Sequence, residues 1–314
     1  MNIGIDMMGG DFAPAEAVKG VRFFLSEGSS PSSLFLFGDE PQIAELLREE
    51  KINADQVTII PTTQVIEMHE HPTRALKEKT QSSISVGFQH LATGKIDAFI
   101  SAGNTGAMLV GTMYSIKAVE GVQRPTISTI IPKEHGGTGL ILDVGLNADC
   151  KPENINQFAV LGTLYAKHIL GIEDPTVGLL NIGEEEGKGN LLAQAAYPLL
   201  KENPLINFLG NIEGRDIFMD KADVMVCDGF TGNIILKLAE SLYEITQRKQ
   251  IEHPYFDRFD FEIYGGTPVL GVSKPVIIGH GISHAKAFYN MILVAQKMLE
   301  SKLMEVMKQS FLQA

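Results

Sequence analysis

Six apolar runs in this chain end in glycine-bearing turns: "DMMGGD", "SAGNTGA", "DVGLNADC", "NIGEEEGKGN", "CDGFTGN" and "GHGISHA". The runs are short and β-rich, and the segments after the turns have helical length. "NIGID" leads through "MMGGDFAP" into "AEAVKGVRFFLSEG", where Val18, Val21 and Leu25 share one helical face. "IDAFISAG" leads into "NTGAMLVGTMYSI", and "GLILDVG" precedes "CKPENINQFAVLGTLYAKHIL", with Pro152 suited to a first helical turn. Strands that alternate with helices predict parallel βαβ units, in which helices cover both faces of a sheet. No low-complexity linker divides the chain, so the reading is one α/β domain over 1–314. The polar "IPKEHGGTG" predicts a hairpin turn, part of a small subdomain or arm around 110–140. A helical connection is expected over 234–263, and a long helix closes the chain over 283–311. That helix carries Met291, Val294, Met298, Leu303 and Met307, a stripe better suited to core or dimer packing than to a membrane surface.

In open parallel sheets, ligands bind beyond the carboxyl ends of the strands, where such turns gather. Glycine lets a ligand approach the backbone closely, and each following helix offers unpaired N–H groups that suit an anion. Asn, Thr, Asp and His beside the glycines therefore predict a shared anion site. A dinucleotide fingerprint is missing after the first strand. The phosphate loop of nucleotide-binding proteins is missing too: "GEEEGKG" spaces its glycines wrongly, and Gly189 rather than Ser or Thr follows Lys188. Glu184 to Glu186, Asp143 and Asp228 are the acidic groups that a metal could use. No HExxH or Cys/His cluster supports one, and "HEH" at His69 to His71 sits in a polar loop.

Among nucleophiles, no GxSxG elbow occurs. Cys227 ends a strand beside "DGFTGN", where it either carries an acyl group or is a buried, inert thiol lacking a basic partner. The His-x4-Asp pattern fails at every histidine, and His280 sits in a glycine turn as either a ligand contact or a structural group. Lys188 and Asn233 remain, in glycine turns before helices. A lysine and a carboxamide can together hold an oxyanion without any covalent intermediate. The same pattern equally fits a Lys188 that neutralises its glutamate neighbours and an Asn233 that caps a helix.

The net charge of −12 argues against a broad nucleic-acid surface. The two cysteines, Cys150 and Cys227, make no disulfide framework and fit a reducing compartment. The N-terminus lacks the basic stretch and apolar core of a signal peptide, and no run reaches membrane-spanning length. A cytoplasmic protein that meets a membrane only from its surface is expected.

The motifs "DMMGGDFAP", "SAGNTGA", Arg124-Pro125, "DVGLNADCKPE", "EEEGKGN", "DGFTGNIILK", "YGGTPVLG" and "IIGHGIS" occur in the order found in the phosphate acyltransferases called PlsX. The resemblance covers nearly the whole chain, about Asn2 to Ile292. It implies a Rossmann-like α/β/α sandwich, akin to phosphotransacetylases and the isocitrate dehydrogenase group. It implies transfer of a fatty acyl group from acyl carrier protein to inorganic phosphate, giving acyl phosphate for phosphatidic acid and phospholipid synthesis. No cofactor and no metal are implied. A homodimer on the inner face of the cell membrane is implied, with a membrane glycerol-3-phosphate acyltransferase as a further partner.

By position, the family's catalytic lysine matches Lys188 and its catalytic asparagine Asn233. Gly9, Gly10, Asp11, Asn104, Thr105, Asp143, Asn147, Asp228, Thr231 and His280 carry over as substrate-binding residues. The family often has a longer helical hairpin between Asn233 and Tyr264, implicated in membrane contact. Here that connection is short and polar, leaving Tyr243, Ile245 and Tyr255 for an apolar tip. Arg215, Lys237, Arg248 and Lys249 are the nearest cations for an acidic carrier protein. The competing readings are a phosphotransacetylase-like enzyme acting on a coenzyme A thioester and a non-catalytic scaffold for phospholipid enzymes. Intact turns around Lys188 and Asn233 argue against the scaffold.

Overall fold

Apolar residues in the short runs are sealed from water on both sides, which is the environment of a parallel strand under two helical layers. Ile3, Ile5, Leu34, Leu36, Ile100, Leu140, Val177 and Val224 are all buried. The computed structural model describes residues 1–27 and 32–312. Its contacts cluster into two compact units, one of residues 1–118 and 261–304, the other of 119–260 and 305–314. The sequence reading treats these as one domain.

The first unit opens with β1 (Asn2–Asp6), α1 (Ala15–Ser26), β2 (Ser33–Gly38), α2 (Glu40–Glu49), β3 (Val57–Pro61), α3 (Pro72–Glu78), α4 (Ser83–Ala92), β4 (Ala98–Ser101) and α5 (Thr105–Ser115). The second unit holds β5 (Thr126–Pro132), β6 (Thr138–Leu142), α6 (Pro152–Tyr165), β7 (Thr176–Asn181), α7 (Leu191–Glu202), β8 (Asn207–Glu213), β9 (Val224–Val226), α8 (Gly229–Arg248) and α9 (Pro254–Asp257). The chain then returns to the first unit for β10 (Thr267–Leu270), β11 (Val276–Ile278) and α10 (Ala285–Glu300), and ends with α11 (Leu303–Leu312).

Strands of the first unit run in the order β3-β2-β1-β4-β11-β10, parallel except for the antiparallel β10–β11 pair. Those of the second run β5-β6-β9-β7-β8, with β5–β6 antiparallel and the rest parallel. The expected hairpin around "IPKEHGGTG" is the β5–β6 turn, and β6 joins the sheet through β9. Lys133 in that turn is buried, and its ammonium meets Asp223 at 2.6 Å.

The glycine turns have a common construction. Asn104, Asn190 and Asp228 are the N-caps of α5, α7 and α8, and each side chain accepts a hydrogen bond from the N–H three residues on. A cap of this kind is worth about 1 kcal/mol.

The closing segment is two helices rather than one. Lys302 takes a left-handed backbone (φ 51°) between α10 and α11. The apolar period passes through this break undisturbed, which is why it reads as one helix. Met291, Met298, Leu303 and Met307 are all buried, and Val294 half-buried, so the stripe belongs to the protein interior.

Candidate active site

The residues expected to form a site fall in both units. In the second unit, Asp143 is fully buried, and its carboxylate accepts from five donors. Its Oδ1 takes the N–H groups of Ile127 (3.3 Å), Gly145 (3.2 Å) and Leu146 (3.2 Å). Its Oδ2 takes the N–H of Asn147 (2.6 Å) and that side chain's Nδ2 (2.8 Å), and the same Nδ2 also reaches the Pro125 carbonyl (2.8 Å). The "DVGLN" turn is thus wound around one carboxylate. Asp228 is committed in a similar way: Thr231 donates to it through both N–H (2.8 Å) and Oγ1 (2.9 Å). Asp143, Asn147, Asp228 and Thr231 therefore shape turns with their polar atoms.

Asn233 is not the cap of α8, a role that Asp228 fills. It lies exposed in the helix's first turns, and its Nδ2 donates to the Val144 carbonyl at 3.1 Å. A carboxamide nitrogen carries two hydrogens, so this bond aims the group and leaves a second donor. The turn can come this close because position 232 is glycine. A Cβ there would sit 1.9 Å from the Asp143 carbonyl oxygen.

Lys188 stands half-exposed in the turn between β7 and α7, its ammonium 3.9 Å from Glu185. The three glutamates prove to be separately paired. Glu184 meets Lys221 at 2.5 Å and Glu186 meets Lys201 at 3.0 Å, leaving Glu185 to Lys188. Glu184, Glu213 and Asp216 do gather their carboxylates within 4.8 Å of one another. Lys221 also bonds Asp216 (2.9 Å) and Arg215 pairs with Glu213, so protein cations already occupy this acidic group.

Cys227 is buried, and burial pushes its thiol well above the ordinary range. Burial likewise pushes Cys150 up to about 11. Both thiols are protonated near neutral pH and poorly suited to nucleophilic attack.

In the first unit, Asn104 is almost wholly buried. Besides capping α5, its Nδ2 donates to the carbonyls of Glu67 (2.9 Å), Met68 (3.1 Å) and Glu70 (3.0 Å). It pins the "EMHE" loop against the "SAGN" turn. Thr105 is exposed at the start of α5. Gly10 has a left-handed backbone (φ 105°), Asp11 is exposed, and the Asp11 N–H donates to the Gly281 carbonyl at 2.7 Å. That bond joins the "DMMGGD" and "GHGIS" turns. His280 is half-buried with its ring 4.9 Å from Phe261, and Gly9 lies beside Asp6, whose carboxyl accepts from its N–H.

Asp6 is a residue that sequence reasoning missed. It ends β1 completely buried, accepting from Ser101 Oγ (2.6 Å) and the Met8 N–H (3.0 Å). Ser101 Oγ accepts in turn from the Gly103 N–H (2.9 Å), so one carboxyl organises two of the glycine turns. Burial raises the Asp6 pKa above its ordinary 3.8, although hydrogen bonds from Ser101, Ser83, Met8 and Gly9 oppose the rise. The signal was present in sequence: an aspartate ending an otherwise apolar strand needs partners.

The profile of a family described as fatty acid synthesis protein matches residues 1–253 and 248–306. A phosphate acyltransferase of Dictyoglomus turgidum is 43% identical, over 96% of this chain and 94% of the relative. That of Aquifex aeolicus is 44% identical over 96% and 94%, and that of Halothermothrix orenii 42% over 98% of each. The chain belongs to the phosphate acyltransferase family. Solved structures of other acyl-transferring proteins share the fold of this phosphate acyltransferase-family chain. A phosphotransacetylase of Streptococcus pyogenes aligns with a TM-score of 0.68 at 17% identity, over 97% of this chain and 94% of the other. A branched-chain phosphotransacylase of Enterococcus faecalis aligns at 0.62 and 13%, over 95% and 99%. At such identities the likeness concerns the fold, which is the Rossmann-like α/β/α architecture expected from the sequence.

Proposed function

We propose that this acyltransferase moves a fatty acyl group from acyl carrier protein to inorganic phosphate, with Lys188 and Asn233 as its catalytic residues. A phosphate oxygen attacks the thioester carbonyl carbon, the C–S bond breaks, and the carrier thiol leaves with the proton that phosphate gives up. A thioester is already activated and phosphate near neutral pH is largely ionised, so neither partner needs a covalent enzyme intermediate. Lys188 orients phosphate, and the second hydrogen of Asn233 Nδ2 meets the developing oxyanion.

The observation that carries this reading is the contrast among the polar groups of the second unit. Lys188 and Asn233 are exposed on tightly built turns, while both thiols are held protonated by burial. The substrate-binding roles of Gly9, Gly10, Asp11, Asn104, Thr105 and His280 are to build the glycine turns of the first unit, and those of Asp143, Asn147, Asp228 and Thr231 to build the turns of the second unit that carry Asn233. Acyl phosphate made in this way supplies phosphatidic acid synthesis, through a membrane glycerol-3-phosphate acyltransferase as the next partner.

The working form is a homodimer in the cytoplasm, on the inner face of the membrane. No helix among the described residues is long and apolar enough to cross a membrane. Along α8, Phe230, Ile234, Leu238 and Leu242 are exposed at four-residue spacing, with Ile245 beyond them. Such a stripe suits burial against a second copy. Arg215, Lys237 and Arg248 each have a carboxylate neighbour, at Glu213, Glu240 and Glu244, and so offer less free charge to an acidic carrier than their number suggests.

The purified protein should be incubated with phosphate and, separately, acyl-[acyl carrier protein] or acyl-coenzyme A. Acyl phosphate formed faster from the carrier-protein donor is expected. Preference for coenzyme A would overturn the donor assignment, and no acyl phosphate from either would favour the scaffold.

A further inference from the structure

Beneath the Lys188 turn lie two carboxamides that neither the motif nor the reaction accounts for. Asn181 is the last residue of β7, and Asn211 lies in the neighbouring strand β8. Asn181 Nδ2 donates to the Lys188 carbonyl (3.0 Å) and to Asn211 Oδ1 (3.0 Å), while its own Oδ1 accepts the Ile182 N–H (2.8 Å). Asn211 Nδ2 donates to the Glu185 carbonyl (2.8 Å), which also accepts the Lys188 N–H (3.0 Å). The two side chains therefore grip both ends of the Glu185–Lys188 turn by its backbone carbonyls.

This arrangement is demanding. Asn211 is only 5% exposed, and a carboxamide at such a depth is tolerated when its polar atoms are bonded. Position 189 accommodates the pair as well: Gly189 has a left-handed backbone (φ 100°), and a Cβ there would lie 2.3 Å from Asn181 Oδ1. Outside the turn, Lys221 and Lys201 hold Glu184 and Glu186. The charges of Glu184 and Glu186 are thereby compensated by cations other than Lys188, which keeps Glu185 as its ion-pair neighbour, at 3.9 Å.

We infer that Asn181 and Asn211 are positioning residues for Lys188, holding its turn so that the ammonium meets phosphate from a fixed direction. The inference rests on the reading of Lys188 as the phosphate-orienting group. Misplacing a catalytic group by about 1 Å commonly costs ~10²-fold. Both amides spend their bonds on each other and on the backbone of this turn, so their loss should act through Lys188 on phosphate use.

The test is steady-state kinetics of Asn211→Ala, with Asn181→Ser as a less buried second variant that keeps an acceptor for the Ile182 N–H. Varying phosphate and acyl donor separately, KM for phosphate should rise on the order of tenfold or more, with KM for the acyl donor unchanged. A variant that merely folds poorly would lose kcat through its inactive fraction and leave both KM values as they were, and that result would overturn the inference. So would a normal KM for phosphate in both variants. Lys188→Met in parallel separates the two claims. If it is fully active, the reading of Lys188 fails; if it is impaired while both asparagine variants are normal, only the positioning role fails.

Discussion

At the scale of single residues, the polar groups of the glycine turns divide by what their atoms already bond. Asp143 and Asn104 spend their hydrogen-bonding capacity on their own loops, whereas Lys188 and Asn233 keep donors facing outward. The sequence shows the residue types but not this division. An asparagine after a glycine reads the same whether it caps a helix or meets a ligand, because both uses need a short side chain with an oxygen and a nitrogen. Asp6 makes a measurable case of a committed group. Its folded-state pKa is raised by burial, so its contribution to stability is full below 3.8 and declines as pH rises through the folded pKa. Asp6→Asn cannot ionise and lacks that decline. The thermal midpoint of the wild type should therefore fall relative to Asp6→Asn as pH rises above 3.8. A difference that stays flat, or grows in favour of the wild type, would mean that Asp6 is not held toward its neutral form.

At the scale of elements, the runs and turns were legible because apolar alternation and glycine punctuation coincide. Pro152 opens α6, and "IPKEHGGTG" makes the β5–β6 turn, both as expected. The break between α10 and α11 was not, since "LESKLM" contains neither Gly nor Pro and Lys302 supplies the left-handed residue. The Asn181–Asn211 pair was also out of reach of a linear reading: thirty residues separate two amides that meet through parallel strand pairing. Helix α8 exposes five apolar side chains, Phe230, Ile234, Leu238, Leu242 and Ile245, along its 20 residues, about 30 Å. If that face covers a second copy, Leu238→Glu places a charge at its centre and should convert the dimer to a monomer in sedimentation experiments. An unchanged dimer would put the contact elsewhere.

At the scale of the molecule, two α/β units are each built on a largely parallel sheet with helices between its strands, and the turns expected to meet substrate lie in both. Length, alternation and ordered motifs reached this architecture from sequence, and the family match over nearly the whole chain agrees with it. The division into two units was not legible, because no linker marks the places where the chain passes between them. Under the proposed function, two exposed groups, a lysine and a carboxamide, carry acyl transfer to phosphate without a protein nucleophile. The most direct measurement of this is the rate of acyl phosphate formation by Lys188→Ala and Asn233→Ala, each checked for native secondary structure and thermal midpoint. Removing one such donor commonly lowers a rate by ~10²–10³, and a loss of that order is expected in each variant. Folded variants that form acyl phosphate at the wild-type rate would contradict the assignment.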